Sequence, residues 1–373
     1  MKPLSAAPDA RQSEGIYARQ IAFAAAFLLP AAKFLETPSV LSKYAEGDLL
    51  LPALLHFLFQ SLVLLAIVYA ASQSTISLSE RLKTALGKGV YLLYGLYAAY
   101  FLFSVILPLL DMEKFVYAAF FDTAPTSFSF GIFFFFSAYV CTKGVKSIGR
   151  SADVCLFLFL LPFLALLGMS LTEADFSNLM PLFGTDFSYT ATAVRRTSPH
   201  FSDAVLLLPL IAKLRYQKGD GVKIMSGYWV GAAFTLLFLA VFYGLFGSIA
   251  SREHYAFSKI AQYFPALSVV GRIDLIFIYL LTVVLLFYTC LPLQYTTQLF
   301  CDLLHVKRKT YVSAVFHVLL FLAVLFFNKY YNTFYQIISG NLFFIFLIIA
   351  DMVPPFLIFL PKSTTKHKEK SHA

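Results

Sequence analysis

Ten apolar runs, parted by short polar and basic connections, take up most of the chain. A helix needs about 20 apolar residues to cross a bilayer. The pattern therefore predicts spans over 16–42, 49–72, 89–110, 128–142, 151–170, 199–213, 224–249, 272–300, 311–328 and 334–361. The third can run on through "MEKFVYAAFF" as a bent continuation. Runs 1 and 6 are the least regular, and each holds a proline beside charged or polar residues. If the chain divides into spans 1–5 and 6–10, these two are the first members of each half. Five is odd, so the halves enter the membrane from opposite sides. Interrupted segments at corresponding positions are a sequence pointer to a transporter binding site.

The interruption in span 1 reads "LLPAAKFLETP". Pro30 cannot donate a backbone N–H and clashes with the preceding turn, and Pro38 biases Thr37 toward an extended conformation. The stretch between them is expected to be unwound, which is tolerated only inside protein or beside a water-filled cavity. Lys33 lies thirteen residues beyond Gln20, about 20 Å along a helix, so it falls a little past the middle of a core about 30 Å thick. A charge there costs roughly 2.5–3.5 kcal/mol. Two readings are open: Lys33 snorkels to the outer headgroups, or it faces a cavity, binding an anionic group or replacing a coupling cation.

Three further residues meet it at depth. Asp203 lies ten residues before Lys213, about 15 Å by the same rise; it is either a protonated structural acid or a partner for Lys33 or a substrate amine. Asp351, followed by Pro354-Pro355, either relays protons or hydrogen-bonds backbone freed by the kink. His200 either titrates near neutral pH or serves as a hydrogen-bonding residue at a helix break. Glu36 is nearer the outer interface and is expected to act as a gate.

Composition fixes the solvent. Hydrophobic residues make up 59% and charged residues 13%, against about a quarter charged in soluble domains, so the chain is an all-α integral membrane protein with no room for a sizeable domain outside. Of 29 Lys and Arg, 20 fall on the side of the N-terminus and 8 on the other, with Lys33 within a span. By the positive-inside rule both termini are cytoplasmic, and the net charge of +9 reports topology rather than nucleic-acid binding. Segment 1–15 then reads as a cytoplasmic lead without a cleavable signal, 16–361 as one transmembrane domain (repeats 16–170 and 199–361), and 362–373 as a basic cytoplasmic tail near anionic headgroups.

Other motifs carry less. The four cysteines show no Cys-x-x-Cys or Cys/His spacing, so no metal site or cofactor is expected. Tyr91, Tyr94, Tyr97 and Tyr100 form a stripe on span 3, for packing or for an aromatic substrate wall. "YTCLPLQYTTQ" gathers Tyr288, Thr289, Gln294, Thr296 and Thr297 around Pro292, for interhelical hydrogen bonds or ion coordination. There is no Gly-x-x-x-x-Gly-Lys-Ser/Thr loop and no catalytic triad or carboxylate pair, so no enzyme is expected.

Four stretches carry a resemblance: "PSVLSKYAEGD" after the first break, "KGVKSIGRSADV" leading into span 5, "NLMPLFG" after it and "YFPALSVVGRIDLIFI" entering span 8. Together, and in register over most of the chain, they resemble the spore-germination B-subunit family of permeases (GerAB/ArcD/ProY type), part of the amino acid–polyamine–organocation superfamily. That resemblance implies a LeuT-like fold of five plus five inverted helices with helices 1 and 6 broken, and a small amino-acid-like ligand between them, with positional carry-over to Ala31, Lys33 and Asp203; Pro30, Ala32, His200 and Ser202 beside them complete the expected contact set. It implies a secondary transporter, in which Lys33, Asp203 and Asp351 are candidates for ion or proton coupling, or a subunit of a germinant receptor in the inner spore membrane, with other receptor subunits as partners. Where the family tends to carry Gly-x-Gly, this chain has Ala31-Ala32-Lys33. The lysine then either meets a carboxylate ligand directly or forms a salt bridge to Asp203 that keeps the site empty. A polytopic acyl- or glycosyltransferase, or another lipid-handling protein, is the rival; it would need a cluster such as Glu173, Asp175, Asp186, Arg195 and Arg196 in connection 171–198. A scaffolding subunit is the third reading.

Overall fold

The computed structural model describes residues 16–73, 78–120, 126–143, 145–181, 184–264, 274–306 and 308–359. The expected N-terminal segment 1–15 and basic tail 362–373 lie outside the described residues, as does most of the "YFPALSVVGRIDLIFI" stretch before Asp274. The chain is helical throughout, with no strand among the described residues.

Span 1 is a bent pair, α1 (Ala18–Phe34) and α2 (Thr37–Ala45), meeting at 66°. Pro30 shapes the first arm. Its missing N–H is accommodated by a π-turn over Ala24–Leu28, where the Leu29 N–H reaches back to the Ala24 carbonyl. The helix then tightens to a 3-10 turn and stops at Leu35, whose φ −89° and ψ −94° leave the helical region. Pro38 sits in the first turn of α2, where a proline's locked φ suits a helix start. The unwound stretch is thus only Leu35–Glu36, shorter than the two prolines suggest, because each is absorbed into a helix.

Spans 2 to 5 are α3 (Leu50–Ser72), then a surface helix α4 (Leu78–Leu86), α5 (Val90–Phe120), α6 (Thr126–Thr142) and α7 (Val145–Glu173). α5 is 31 residues long because "MEKFVYAAFF" does continue span 3. Span 6 is interrupted too: α9 (Asp203–Ile211) falls within the expected 199–213, while α8 (Phe187–Thr197) before it occupies part of the expected connection 171–198, the two joined by a 3-10 turn at Ser198–His200. Then come α10 (Asp220–Phe246), a surface helix α11 (Ala256–Tyr263), α12 (Asp274–Leu304), α13 (Lys309–Lys329), α14 (Tyr331–Ile338) and α15 (Asn341–Met352). Among the described residues, six helices are long and apolar enough to cross a membrane, the bent pair α1–α2 makes a seventh span, and two shorter apolar helices accompany them; with the interrupted pair α8–α9 the number reaches about ten. The protein is a multi-pass membrane protein.

Two contacts hold span 1 in place. The sequence Gly227-Tyr-Trp-Val-Gly231 on α10 is a Gly-x-x-x-Gly face of the sort that lets helices approach in a bilayer. A Cβ at Gly231 would lie 2.5 Å from the Ala25 carbonyl oxygen, and one at Gly227 2.5 Å from that of Ala22, so α10 lies directly on the π-turn. On the other flank, the Phe34 ring sits 4.4 Å from Phe238, 4.9 Å from Phe163 and 5.7 Å from Phe159. Burying four rings from three spans fixes the end of α1.

The face holding α4 is basic, with Lys83, Lys88, Lys213 and Lys309.

Candidate functional site

Both helix breaks leave unmatched backbone dipoles in the interior. α1 ends there, presenting carbonyls and a partial negative charge, whereas α9 begins there, presenting N–H groups and a partial positive charge. Lys33 stands in the last turn of α1, and Asp203 is the first residue of α9. Each charge therefore sits at the helix end that favours its sign. Lys33 Nζ lies 2.6 Å from Asp203 Oδ1, with the two residues 1% and 3% exposed. Nζ also donates to the Leu29 carbonyl at 3.4 Å and lies 5.4 Å from the Phe201 ring centre. The snorkelling reading of Lys33 is not what the structure shows: its stem turns inward, where an ion pair is available.

The pair belongs to a longer network. The Ala204 N–H donates to Gln60 Oε1 at 3.0 Å, and Gln60 Nε2 donates to Asp351 Oδ2 at 2.8 Å. One amide on span 2 thus ties the start of α9 to span 10. The second oxygen, Asp351 Oδ1, is buried without a hydrogen-bond partner. His56 Nε2 meets Thr197 Oγ1 at 3.1 Å, and its ring stacks on Phe201 at 4.5 Å. Tyr100 OH reaches the Ser202 carbonyl at 3.5 Å.

Near the pair, but lined by neither Lys33 nor Asp203, lies a cavity of about 10 Å³, room for a single water. Its walls come from spans 1, 3, 6 and 8: Ala32 and Leu35, Asp111, His200, then Tyr288 and Thr289. His200 Nε2 is buried without a hydrogen-bond partner. Pro30 and Ala31 are buried in α1 behind this wall rather than lining it. Glu36 is further out, where its carboxylate accepts from His254 Nδ1 at 2.9 Å. The Ala256 N–H, at the start of α11, donates to the Leu35 carbonyl at 3.0 Å. The connection after span 7 is therefore stitched to the break of span 1. The Glu36 hydrogen bond raises the affinity of His254 for its proton above the ordinary value, and burial partly opposes it.

Gln60, His56 and Asp111 were not singled out by sequence reasoning. His56 and Gln60 lie one turn apart on the apolar α3, and Asp111 heads the Asp111, Glu113, Lys114 group on α5; polar side chains within a membrane span are the signal that could have found them. Three of the five residues named for the rival reading have other partners. The Asp175 carboxylate accepts from the Ser177 N–H, Arg195 donates to Asn341 and Arg196 to the Ser339 carbonyl. Among the described residues, no three His, Cys, Asp or Glu side chains gather as a metal would require.

The helix arrangement has counterparts among known proteins. A family model described as "Spore germination protein" (Spore_permease) matches residues 35–332. No curated protein matches the sequence. Among solved structures, the chain is similar to MhsT in complex with L-phenylalanine, with a TM-score of 0.62 at 16% identity, covering 92% of this chain and 90% of that one. It is also similar to a mutant of the Eremococcus coleocola manganese transporter, with a TM-score of 0.53 at 13% identity, covering 94% and 81%. These likenesses establish the fold, the LeuT-like arrangement with broken helices 1 and 6.

Proposed function

This chain belongs to the spore germination protein family, and from that premise we propose that it binds a small amino-acid-like solute between its broken spans 1 and 6. The observation that carries the reading is the buried Lys33–Asp203 pair joining the two breaks. Separating a buried pair and leaving either charge alone costs about 3–5 kcal/mol. A zwitterion avoids that penalty: its carboxylate takes the Lys33 ammonium and its ammonium takes Asp203, so both charges stay matched. Amino acids carry that pair of groups, and MhsT, which shares the fold, is described in complex with one. Ala32, His200 and the Ser202 backbone would flank the solute, with Pro30 and Ala31 shaping the arm that holds Lys33. Glu36 would gate the outer approach.

The pair closes the site on itself, which favours a ligand-sensing role. The chain would act as a germinant-receptor subunit in the inner spore membrane, both termini cytoplasmic, beside other receptor subunits. Proton-coupled transport is the second reading, supported by the Gln60 link from α9 to Asp351 with its unpartnered oxygen. Proteoliposomes carrying the full chain and radiolabelled amino acids separate the two. Sensing predicts ligand-dependent thermal stabilisation without uptake; transport predicts uptake that Asp351→Asn abolishes. Both predict loss of stabilisation in Lys33→Ala and Asp203→Asn. Undiminished binding in both variants would remove the central site.

A further inference from the structure

A second hollow lies outside this site, toward the basic face. It measures about 160 Å³ and is bounded by α4, α5, α9 and α12. Its body is apolar and aromatic: Tyr94, Tyr97, Phe101, Leu208 and Leu299. An apolar cavity of about 150 Å³ suffices to bind benzene, so this one accepts a single ring or a short branched chain, and it is too small for a two-chain lipid.

Its two ends are polar in different ways. At the inner end the Tyr295 hydroxyl, on a residue 2% exposed, is buried with no hydrogen-bond partner. A buried hydroxyl left unpaired costs about 1–3 kcal/mol, and the residue that carries it is part of the wall of the hollow. One turn further along α12, about 4.5 Å, Gln298 accepts from Lys213 at 2.7 Å. Another turn out, Asp302 meets Lys83 at 3.9 Å. Beyond this mouth runs a groove that adds Lys88 and Lys309. Four lysines against one aspartate give the entrance a net positive charge.

We propose that this hollow is a second ligand site, distinct from the Lys33–Asp203 centre, for a small aromatic carboxylate with a polar group at its far end. The ring fills the apolar body, the carboxylate meets Lys83 and Lys213 at the mouth, and the distal group pairs with the Tyr295 hydroxyl. Because Leu208 and Pro209 of α9 form one wall, an occupant there holds α9 against α12.

The test uses the full chain in nanodiscs of neutral phosphatidylcholine, with 3-fluoro-4-hydroxyphenylacetate and 3-fluorophenylacetate as probes followed by fluorine NMR. Saturable binding is expected, tighter for the hydroxylated probe by roughly three- to tenfold, the worth of one hydrogen bond. Tyr295→Phe should erase that difference while leaving the cavity its shape. Lys83→Gln, an exposed change at the mouth, should weaken both probes. A saturating amino acid, the occupant proposed for the central site, should displace neither probe, so that failure here is separable from failure of the central site. Non-saturable binding, or equal affinities in wild type and both mouth and hydroxyl variants, overturns the proposal. Displacement of the probe by anionic phospholipid at trace level, with no discrimination between probes, assigns the groove to a lipid headgroup and overturns it as well.

Discussion

Gln60 holds Asp351 and the first free N–H of α9 with the two ends of one amide, at 2.8 Å and 3.0 Å. The amide has to point one way, nitrogen to the carboxylate and oxygen to the N–H, so spans 2, 6 and 10 are registered by a single side chain. Gln60→Leu leaves a buried N–H and a buried carboxylate oxygen unpaired, at about 1–3 kcal/mol each. The expected result is a lower unfolding temperature together with faster hydrogen exchange at the Ala204 amide. Unchanged exchange there would mean the amide does not register α9.

The Lys33–Asp203 pair predicts a strongly non-additive cycle. Lys33→Met or Asp203→Leu alone strands a buried charge and should destabilise by about 3–5 kcal/mol, whereas the double variant replaces the pair with apolar packing and should recover most of the loss. Thermal unfolding of the three variants in one detergent measures it. Additive losses would show that the two charges do not depend on each other.

Span 7 meets the π-turn of span 1 through bare glycine. Gly231→Ala puts a methyl 2.5 Å from the Ala25 oxygen and 3.1 Å from the Ala26 Cα, and the arms must part, at about 1–3 kcal/mol. Gly95→Ala on α5 meets nothing within 4 Å and should be neutral or slightly stabilising, by up to about 1 kcal/mol. Comparing their unfolding temperatures separates close approach from helix propensity.

His254, in the connection after span 7, and Glu36, at the break of span 1, predict a pH-dependent latch. The folded protein raises the proton affinity of His254 through its bond to Glu36, with Glu253 and Asp111 adding to it. The stabilisation is therefore full below the ordinary histidine value of about 6.5 and fades as pH rises through the higher value in the folded state. Unfolding temperature scanned from about pH 5.5 to about pH 8.5 should fall more steeply in wild type than in His254→Gln. Parallel curves would show that the latch does not carry the effect.

Much of this is legible in the chain. Apolar runs long enough to span a bilayer locate the spans, and depth arithmetic places Lys33 and Asp203 at a common level. What sequence alone does not locate is the break, confined to Leu35–Glu36 because π and 3-10 turns accommodate Pro30 where an α-helix would not. Gln60 stays hidden because its partners lie 144 and 291 residues away in the chain. The Gly-x-x-x-Gly at 227–231 is in plain view, yet only the neighbouring carbonyls reveal what it packs against.

The central hollow is sized for one water molecule, and that has a consequence for dose. On the function proposed above, a solute would enter only after the helix ends had moved apart, and its apparent affinity would be reduced by the fraction of protein already open. A scarce nutrient would then go unanswered while an abundant one tips the balance, and such a protein reads plenty rather than presence.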